Sequence, residues 1–295
     1  MIDFDIKAEV PIMNANHTAS KDEQFKKAED FRNLHHGSIL ILPNAWDAAS
    51  AKMFERAGFD AIATTSAGVA SSYGYPDGEA MSRAEMLEVV QRIAKSVAVP
   101  VTADMEAGFG ETPAEVAETA RLVLEAGAVG LNLEDGTINK LYPLEDIALQ
   151  VEKIKAMRQA AQTFGVPLVI NARTDVYEKS DKRDKAALAQ AIQRGNAYRE
   201  AGADCIFVIS VDDKKVIAEL VREINAPINV LARHGSPTIA ELKALGVARV
   251  SFGSIPMRAT MSLVGRIADE LKQQGTYSFA QGIPTYVEVN RYFKK

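Results

Sequence analysis

Carboxylates close several short apolar runs in this sequence, and they are the groups best suited to chemistry. Asp104 and Glu106 follow Pro100-Val-Thr-Ala, Glu134 and Asp135 follow Val129-Gly-Leu-Asn-Leu, and Asp175 follows Asn171-Ala-Arg-Thr. Two positions apart on an extended strand end, Asp104 and Glu106 can point to the same side. Carboxylates gathered in one place repel unless a cation or protons neutralise them. Hard oxygen ligands without His or Cys favour Mg2+ or Mn2+ over zinc; salt bridges to surrounding Lys and Arg are the alternative. Arg173 is the natural cationic partner, with a planar fork that could take a substrate carboxylate or phosphonate, or pair with Asp175 and the carboxylate group. Thr65-Ser66-Ala67-Gly68 offers hydroxyls and close-set amides to an anion, or is a small-residue turn. The loop beyond it adds Tyr73, Tyr75 and Asp77.

Other chemistries find less support. None of the apolar runs contains a lysine, so a Schiff-base aldolase lacks its nucleophile. His17, His35, His36 and His234 show no metal-ligand spacing; His35 and His36 are expected at the surface, and His234 in solvent or against substrate. Cys205 is the one cysteine and opens a run, as a small core hydrophobe would. It cannot form an internal disulfide, which points to a reducing, cytoplasmic setting. With 34 basic and 39 acidic residues the net charge is -5, which argues against a nucleic-acid surface. No signal peptide or membrane-length apolar run is apparent.

The elements that must position these residues follow from the alternation of runs and helical segments. The 295 residues are 47% hydrophobic, ordinary globular proportions. Eight continuous apolar runs begin at Ser38, Asp60, Pro100, Val129, Pro167, Asp204, Ala226 and Ala248. Continuous runs suit parallel strands covered on both faces. Helices such as Thr112 to Ala126 and Ala186 to Ala201 separate them, and Gly58, Gly127, Gly202 and Gly246 mark helix ends. The pattern predicts a (β/α)8 TIM barrel over about 38–275, with an added helix over about 17–35 and a C-terminal extension over 276–295, as a single domain. A doubly wound sheet would normally carry a glycine-rich turn after the first run, where Asn44-Ala45-Trp46-Asp47 stands. Trp46 is expected to pack at the first barrel helix, with Asp47 as its cap. The active site of such a barrel lies at the C-terminal strand ends, where the carboxylates fall. Tyr73, Tyr142, Asn229, Arg233 and His234 are expected around the rest of the substrate.

In order, Thr65-Ser66-Ala67, Gly74-Tyr75-Pro76-Asp77-Gly78, Asp104-Met-Glu-Ala-Gly-Phe-Gly110, Leu133-Glu134-Asp135 and Asn171-Ala-Arg-Thr-Asp175 resemble the isocitrate lyase and phosphoenolpyruvate mutase superfamily, from about Ile41 to Ala259. The resemblance implies a magnesium enzyme acting on 2-oxo acids through a pyruvate enolate-like species. It implies that Asp104 binds the metal directly and that Asp77, Glu106 and Glu134 hold its waters. Arg173, Thr65, Ser66 and Ala67 would hold the pyruvyl oxygens, with Asn229 as a further substrate contact; Arg173, Glu134 and Asp77 are the expected catalytic groups. Glu106 stands where many relatives carry aspartate.

The gating segment departs from the family. Isocitrate and methylisocitrate lyases carry Lys-Lys/Arg-Cys-Gly-His after the strand-four glutamate, whereas Gly136 to Tyr142 here contains neither Cys nor His. Thr137, Asn139 and Lys140 occupy this segment; the mutase's longer lysine- and asparagine-bearing loop is also missing, with Asn139 and Lys140 the expected stand-ins for part of it. A short gate shields an intermediate from water less well. The expected reaction is therefore lyase or hydrolase cleavage at C3 of a small 2-oxo acid, oxaloacetate first. Phosphonopyruvate hydrolysis, phosphonomutase chemistry and a non-catalytic 2-oxo-acid-binding barrel are the alternatives. Family likeness also implies a homodimer or homotetramer exchanging the last barrel helix, from about Ile255 to Tyr286.

Overall fold

The computed structural model describes residues 20–137, 143–180 and 182–294. Its strands are β1 (Leu40–Leu42), β2 (Asn44–Ala45), β3 (Ile62–Thr64), β4 (Val101–Asp104), β5 (Gly130–Glu134), β6 (Val169–Thr174), β7 (Cys205–Val208), β8 (Ile228–Leu231) and β9 (Arg249–Ser251). All pair in parallel, in the order β1-β9-β8-β7-β6-β5-β4-β3-β2. The eight expected runs are present, and Pro43 divides the first into β1 and β2. Proline lacks an amide donor, but its carbonyl still accepts from Ala63 N at 2.9 Å. β1 thus pairs with the last strand and β2 with the next, giving a TIM-barrel-like fold.

Asn44 staples this seam. Its Nδ2 donates to Thr64 O at 2.8 Å, and its Oδ1 accepts from Phe252 N at 2.7 Å and Gly253 N at 2.9 Å.

The helices are legible in their caps and faces. Ser82 and Thr112 each form a reciprocal capping box, with Glu85 and Glu115 respectively. Helix Arg83–Ser96 buries Met86, Val89, Val90 and Ile93, the spacing of one helical stripe. Asp47 caps helix Ala48–Arg56 through Ser50 N at 2.7 Å, as expected, and Trp46 packs against the core.

The added helix is Lys21–Asn33, somewhat shorter than expected, followed by a 3-10 turn over Leu34–His36; His17 lies outside the described residues. The helix covers the N-terminal end of the barrel, where Gln24 Nε2 donates to Leu124 O at 2.7 Å and Ala128 O at 3.1 Å. Phe31 is fully buried there, above Gly130. A Cβ on Gly130 would lie 2.9 Å from the Phe31 ring and 2.9 Å from Val169 O.

His35 corrects the expectation of a surface residue. The 3-10 turn rotates it under the barrel, where Nδ1 lies 2.9 Å from Phe31 O and its ring packs edge-on at 5.0 Å from Phe31. Burial, with Arg249 nearby, pushes its pKa down to about 4, so it is neutral. His36 does remain exposed.

At the other end of the chain, helix Ile255–Gln273 buries only Met257 and leaves Met261, Leu263, Val264 and Leu271 exposed. The extension beyond it forms a short helix, Tyr286–Tyr292, whose Tyr292 ring lies 3.9 Å from the Arg56 guanidinium. No helix among the described residues is long and apolar enough to cross a membrane.

Phe31→Ala should cost about 3–5 kcal/mol, the range for truncating a buried aromatic. Gly130→Ala should destabilise too, because the Val169 carbonyl cannot move aside without disturbing the β5–β6 ladder. Urea denaturation followed by circular dichroism checks both.

Candidate active site

The C-terminal strand ends form the mouth of the barrel. Register alone puts Glu134 of β5 beside Arg173 of β6, and Asp104 of β4 beside Asn132 of β5. Thr64 Oγ1 accepts from Asp104 N at 2.9 Å, tying β3 to β4. Thr65 then caps helix Ser66–Ser72, its Oγ1 accepting from Gly68 N at 3.3 Å. Asp104 Oδ2 accepts from both Ser66 N, at 3.0 Å, and Ser66 Oγ, at 2.9 Å. The Thr65-Ser66 turn is therefore occupied by a carboxylate of the chain itself, with Ala67 half-buried beside it.

Glu106 lies just beyond β4 in the left-handed region, at φ 49°, and only 5% of its surface is exposed. Its Oε2 accepts from Glu79 N at 2.6 Å, while Glu79 Oε1 accepts from Phe109 N at 2.8 Å. Glu79 and Phe109 also have positive φ, at 55° and 52°. Three non-glycine residues in this region, around one carboxylate, store backbone strain of the kind found at functional sites.

The four expected carboxylates act on one another. Burial pushes the Glu106 pKa up to about 7, reinforced by the charges of Asp77 and Asp104. Burial also raises Asp77, with Asp104 adding and the Ser66 hydroxyl opposing. Glu134 is raised by burial and by Asp175, Asp104 and Glu106, against the pull of Arg173. Arg173 keeps its charge, because Glu134 and Asp175 outweigh its burial.

Arg173 takes the pairing role left open by its sequence context. Nη1 lies 2.7 Å from Glu134 Oε2, Nε donates to Asp175 Oδ1 at 2.7 Å, and Nη2 donates to Asp175 Oδ2 at 3.1 Å. Asp175 is braced in turn: its N–H donates to Asp135 Oδ1 at 2.8 Å, and Asp135 Oδ2 accepts from Tyr198 Oη at 2.6 Å and Arg194 Nη1 at 3.0 Å. The sequence reading did not anticipate Arg194 and Tyr198. Their signal was available: they continue the buried stripe Ala187, Ala191 along helix Lys185–Glu200.

Other expected residues sit apart. Asn229 is fully buried and donates to Ser251 Oγ at 3.1 Å, inside the barrel rather than at its open mouth. Tyr73 and His234 are exposed, and Arg233 pairs with Asp212 at 2.6 Å. Thr137 N donates to Pro143 O at 2.9 Å, and its carbonyl accepts from Lys179 Nζ at 3.3 Å. Asn139, Lys140 and Tyr142 lie outside the described residues.

Among the described residues, no three His, Cys, Asp or Glu side chains stand close enough to ligate one ion directly. Mutually repelling, oxygen-only donors around Asp104 nevertheless fit a hard divalent cation held by one direct carboxylate and by others through water.

A parallel barrel that gathers carboxylates and one arginine at its C-terminal mouth has the architecture of a TIM-barrel enzyme. Residues 31–272 match the phosphoenolpyruvate phosphomutase family. An uncharacterized protein of Mycobacterium tuberculosis is 40% identical over 230 residues, 78% of this chain and 83% of its own. The 2-methylisocitrate lyase of Bacillus subtilis is 30% identical over 270 residues, 87% of this chain and 85% of its own. Among solved structures, oxaloacetate acetylhydrolase in complex with the product oxalate is 25% identical with a TM-score of 0.81, covering 91% of this chain and 94% of that one. Phosphonopyruvate hydrolase in complex with oxalate and Mg2+ is 26% identical with a TM-score of 0.78, covering 90% and 94%. The chain belongs to the isocitrate lyase/phosphoenolpyruvate mutase superfamily, whose Mg2+-dependent members cleave C–C or C–P bonds.

The raised pKa of Glu106 has a definite sign in stability. A carboxyl at about 7 when folded and 4.5 when unfolded contributes stability that is present below pH 4.5 and lost as pH rises through 7. In EDTA, the melting temperature should therefore fall over that window. Glu106→Gln should flatten the fall, as differential scanning calorimetry at a series of pH values would show.

Proposed function

We propose that the protein is a Mg2+-dependent enzyme cleaving the bond at C3 of a small 2-oxo acid, with oxaloacetate the leading candidate. The observation that carries this reading is the mutual repulsion of Asp77, Asp104, Glu106 and Glu134 beside Arg173. Asp104 would hold Mg2+, or Mn2+ as a substitute, directly, and Asp77, Glu106 and Glu134 would hold it through water. Bound there, the ion would supply electrostatic stabilisation of negative charge developing at the substrate's keto oxygen.

The chain's own groups do the rest. Arg173 has guanidinium N–H bonds beyond those given to Glu134 and Asp175, and they orient the substrate carboxylate. Thr65, Ser66 and Ala67, in the turn after β3, would complete the pyruvyl contacts. Burial raises the pKa of both Glu134 and Asp77, so each would hold a proton more readily than a free carboxylate does. Thr137, Asn139 and Lys140 form the gating segment. Without Cys or His there, the acid/base group of a methylisocitrate-type cleavage is missing, which favours hydrolytic, decarboxylating or simple C–C cleavage.

C–P cleavage of phosphonopyruvate is the second reading, favoured by the family match and by the likeness to phosphonopyruvate hydrolase. Phosphorus NMR of phosphonopyruvate incubated with the protein separates the two. A barrel that binds 2-oxo acids without turning them over is the third.

Calorimetric titration with oxalate, a planar mimic of pyruvate enolate, should show micromolar binding that requires Mg2+ and vanishes in EDTA. Asp104→Ala should abolish both this binding and metal-dependent turnover of oxaloacetate. Full activity of that variant would rule the assignment out.

The assembly proposed is a homodimer or homotetramer in a cytoplasmic setting. The bare apolar residues of helix Ile255–Gln273, with Met261 59% and Val264 58% exposed, support exchange of this helix between subunits. Gel filtration should place the protein well above 32.0 kDa; a monomer at micromolar concentration would overturn the assembly.

A further inference from the structure

Beneath the carboxylates, inside the barrel, lies a guanidinium that the proposed reaction does not use. Arg249, on β9, is 1% exposed, and its Nε and Nη1 have no hydrogen-bond partner among the described residues. Among the described residues no carboxylate lies within ion-pair distance of it, although the charge of Asp104 acts on it from further off; the Phe31 ring lies 6.0 Å from its guanidinium carbon. Burial pushes its pKa down to about 10. A buried charge without an ionic partner destabilises a fold, so packing alone gives no reason for arginine here.

Its one side-chain hydrogen bond among the described residues leads to the mouth. Arg249 Nη2 reaches Asn132 Oδ1 at 3.4 Å, and Asn171 Nδ2 donates to the same oxygen at 2.8 Å. A guanidinium and an amide NH2 are both pure donors, so together they fix which end of the Asn132 amide faces them. The Asn132 NH2 is thereby turned toward Asp104, donating to Oδ1 at 3.3 Å. Asp104 Oδ2 already accepts twice from Ser66, whereas among the described residues Oδ1 accepts only from Asn132. With two lone pairs on each oxygen, one on Oδ1 remains unclaimed by these bonds.

We propose that Arg249 is a positioning residue for Asp104: acting through Asn132, it fixes the carboxylate so that the open lone pair of Oδ1 is presented to the metal ion. The inference rests on the metal reading above and adds a residue to it. Partners one step behind a metal ligand commonly contribute ten- to a hundredfold in affinity.

The test is Mg2+ titration by calorimetry, together with urea unfolding in EDTA, of the wild type, Arg249→Met, Asn132→Ala and the double variant. Arg249→Met should be at least as stable as the wild type in EDTA yet bind Mg2+ about ten- to a hundredfold more weakly. A merely structural role would move stability first. Asn132→Ala should weaken Mg2+ binding comparably, and adding Arg249→Met to it should change affinity little further, because the two act in series. Unchanged affinity in Arg249→Met, or fully additive losses in the double variant, overturns the proposal. Should Arg249→Met fail to fold, Asn132→Ala decides alone, and unchanged affinity there overturns it. A wild type that binds no Mg2+ overturns the metal reading and this inference together; binding that both variants retain overturns this inference alone.

Discussion

The negative charge of Asp104 raises the pKa of Asp77, Glu106 and Glu134 around it, and much of the surrounding structure answers that crowding of carboxylates. Asp104 is fixed by three donors from Ser66 and Asn132, and Glu106 by the Glu79 amide. Arg173 is shared between Glu134 and Asp175. These groups come from strand ends and adjoining turns, so their spacing is set by a hydrogen-bonded sheet rather than by mobile side chains. The unusual backbone at Glu79, Glu106 and Phe109 shows the same pressure, since a left-handed turn brings the Glu106 carboxylate under the Glu79 amide.

Much of the barrel was legible in the sequence because both faces of a parallel sheet are buried. That burial requires runs such as Asp204 to Ile209 to be apolar throughout, and leaves polar residues conspicuous at their ends. Asp104, Glu134 and Arg173 could be read for that reason. What could not be read depended on distance or local twist. The brace on Asp175 joins Asp135 to Arg194 and Tyr198 across one strand and two helices, and no local pattern names that partner. His35 was placed at the surface because nothing in its neighbours reveals a 3-10 turn that buries one histidine and exposes the next. Pro43 carried a readable signal of a break, although pairing alone shows that its carbonyl keeps the ladder continuous. Asn229, read as near a strand end, is instead the second residue of β8, which runs on to Leu231, and is fully buried.

Buried polar side chains in the barrel interior form a layer between the mouth and the N-terminal plug of Phe31 and His35. Asn132, Asn171 and Arg249 occupy it where branched apolar residues commonly fill such barrels. The bonds that Asn171 and Arg249 give to Asn132 in this confined space leave the layer fewer arrangements than an apolar one would have. The strand ends above it inherit that definition.

The seam at Asn44 has a consequence for the order in which the molecule is built. Its contacts with Phe252 and Gly253 join residues 208 and 209 positions apart. Closing so long a loop is entropically slow, and the last strand leaves the ribosome late. The carboxylate-bearing strands β4 to β6 lie mid-chain, pair with their sequence neighbours, and sit away from the closure. A nascent chain can therefore assemble most of the carboxylate wall before the barrel is shut. An opening of the finished barrel at this seam would likewise leave that wall standing, with Arg249 carried on the departing edge.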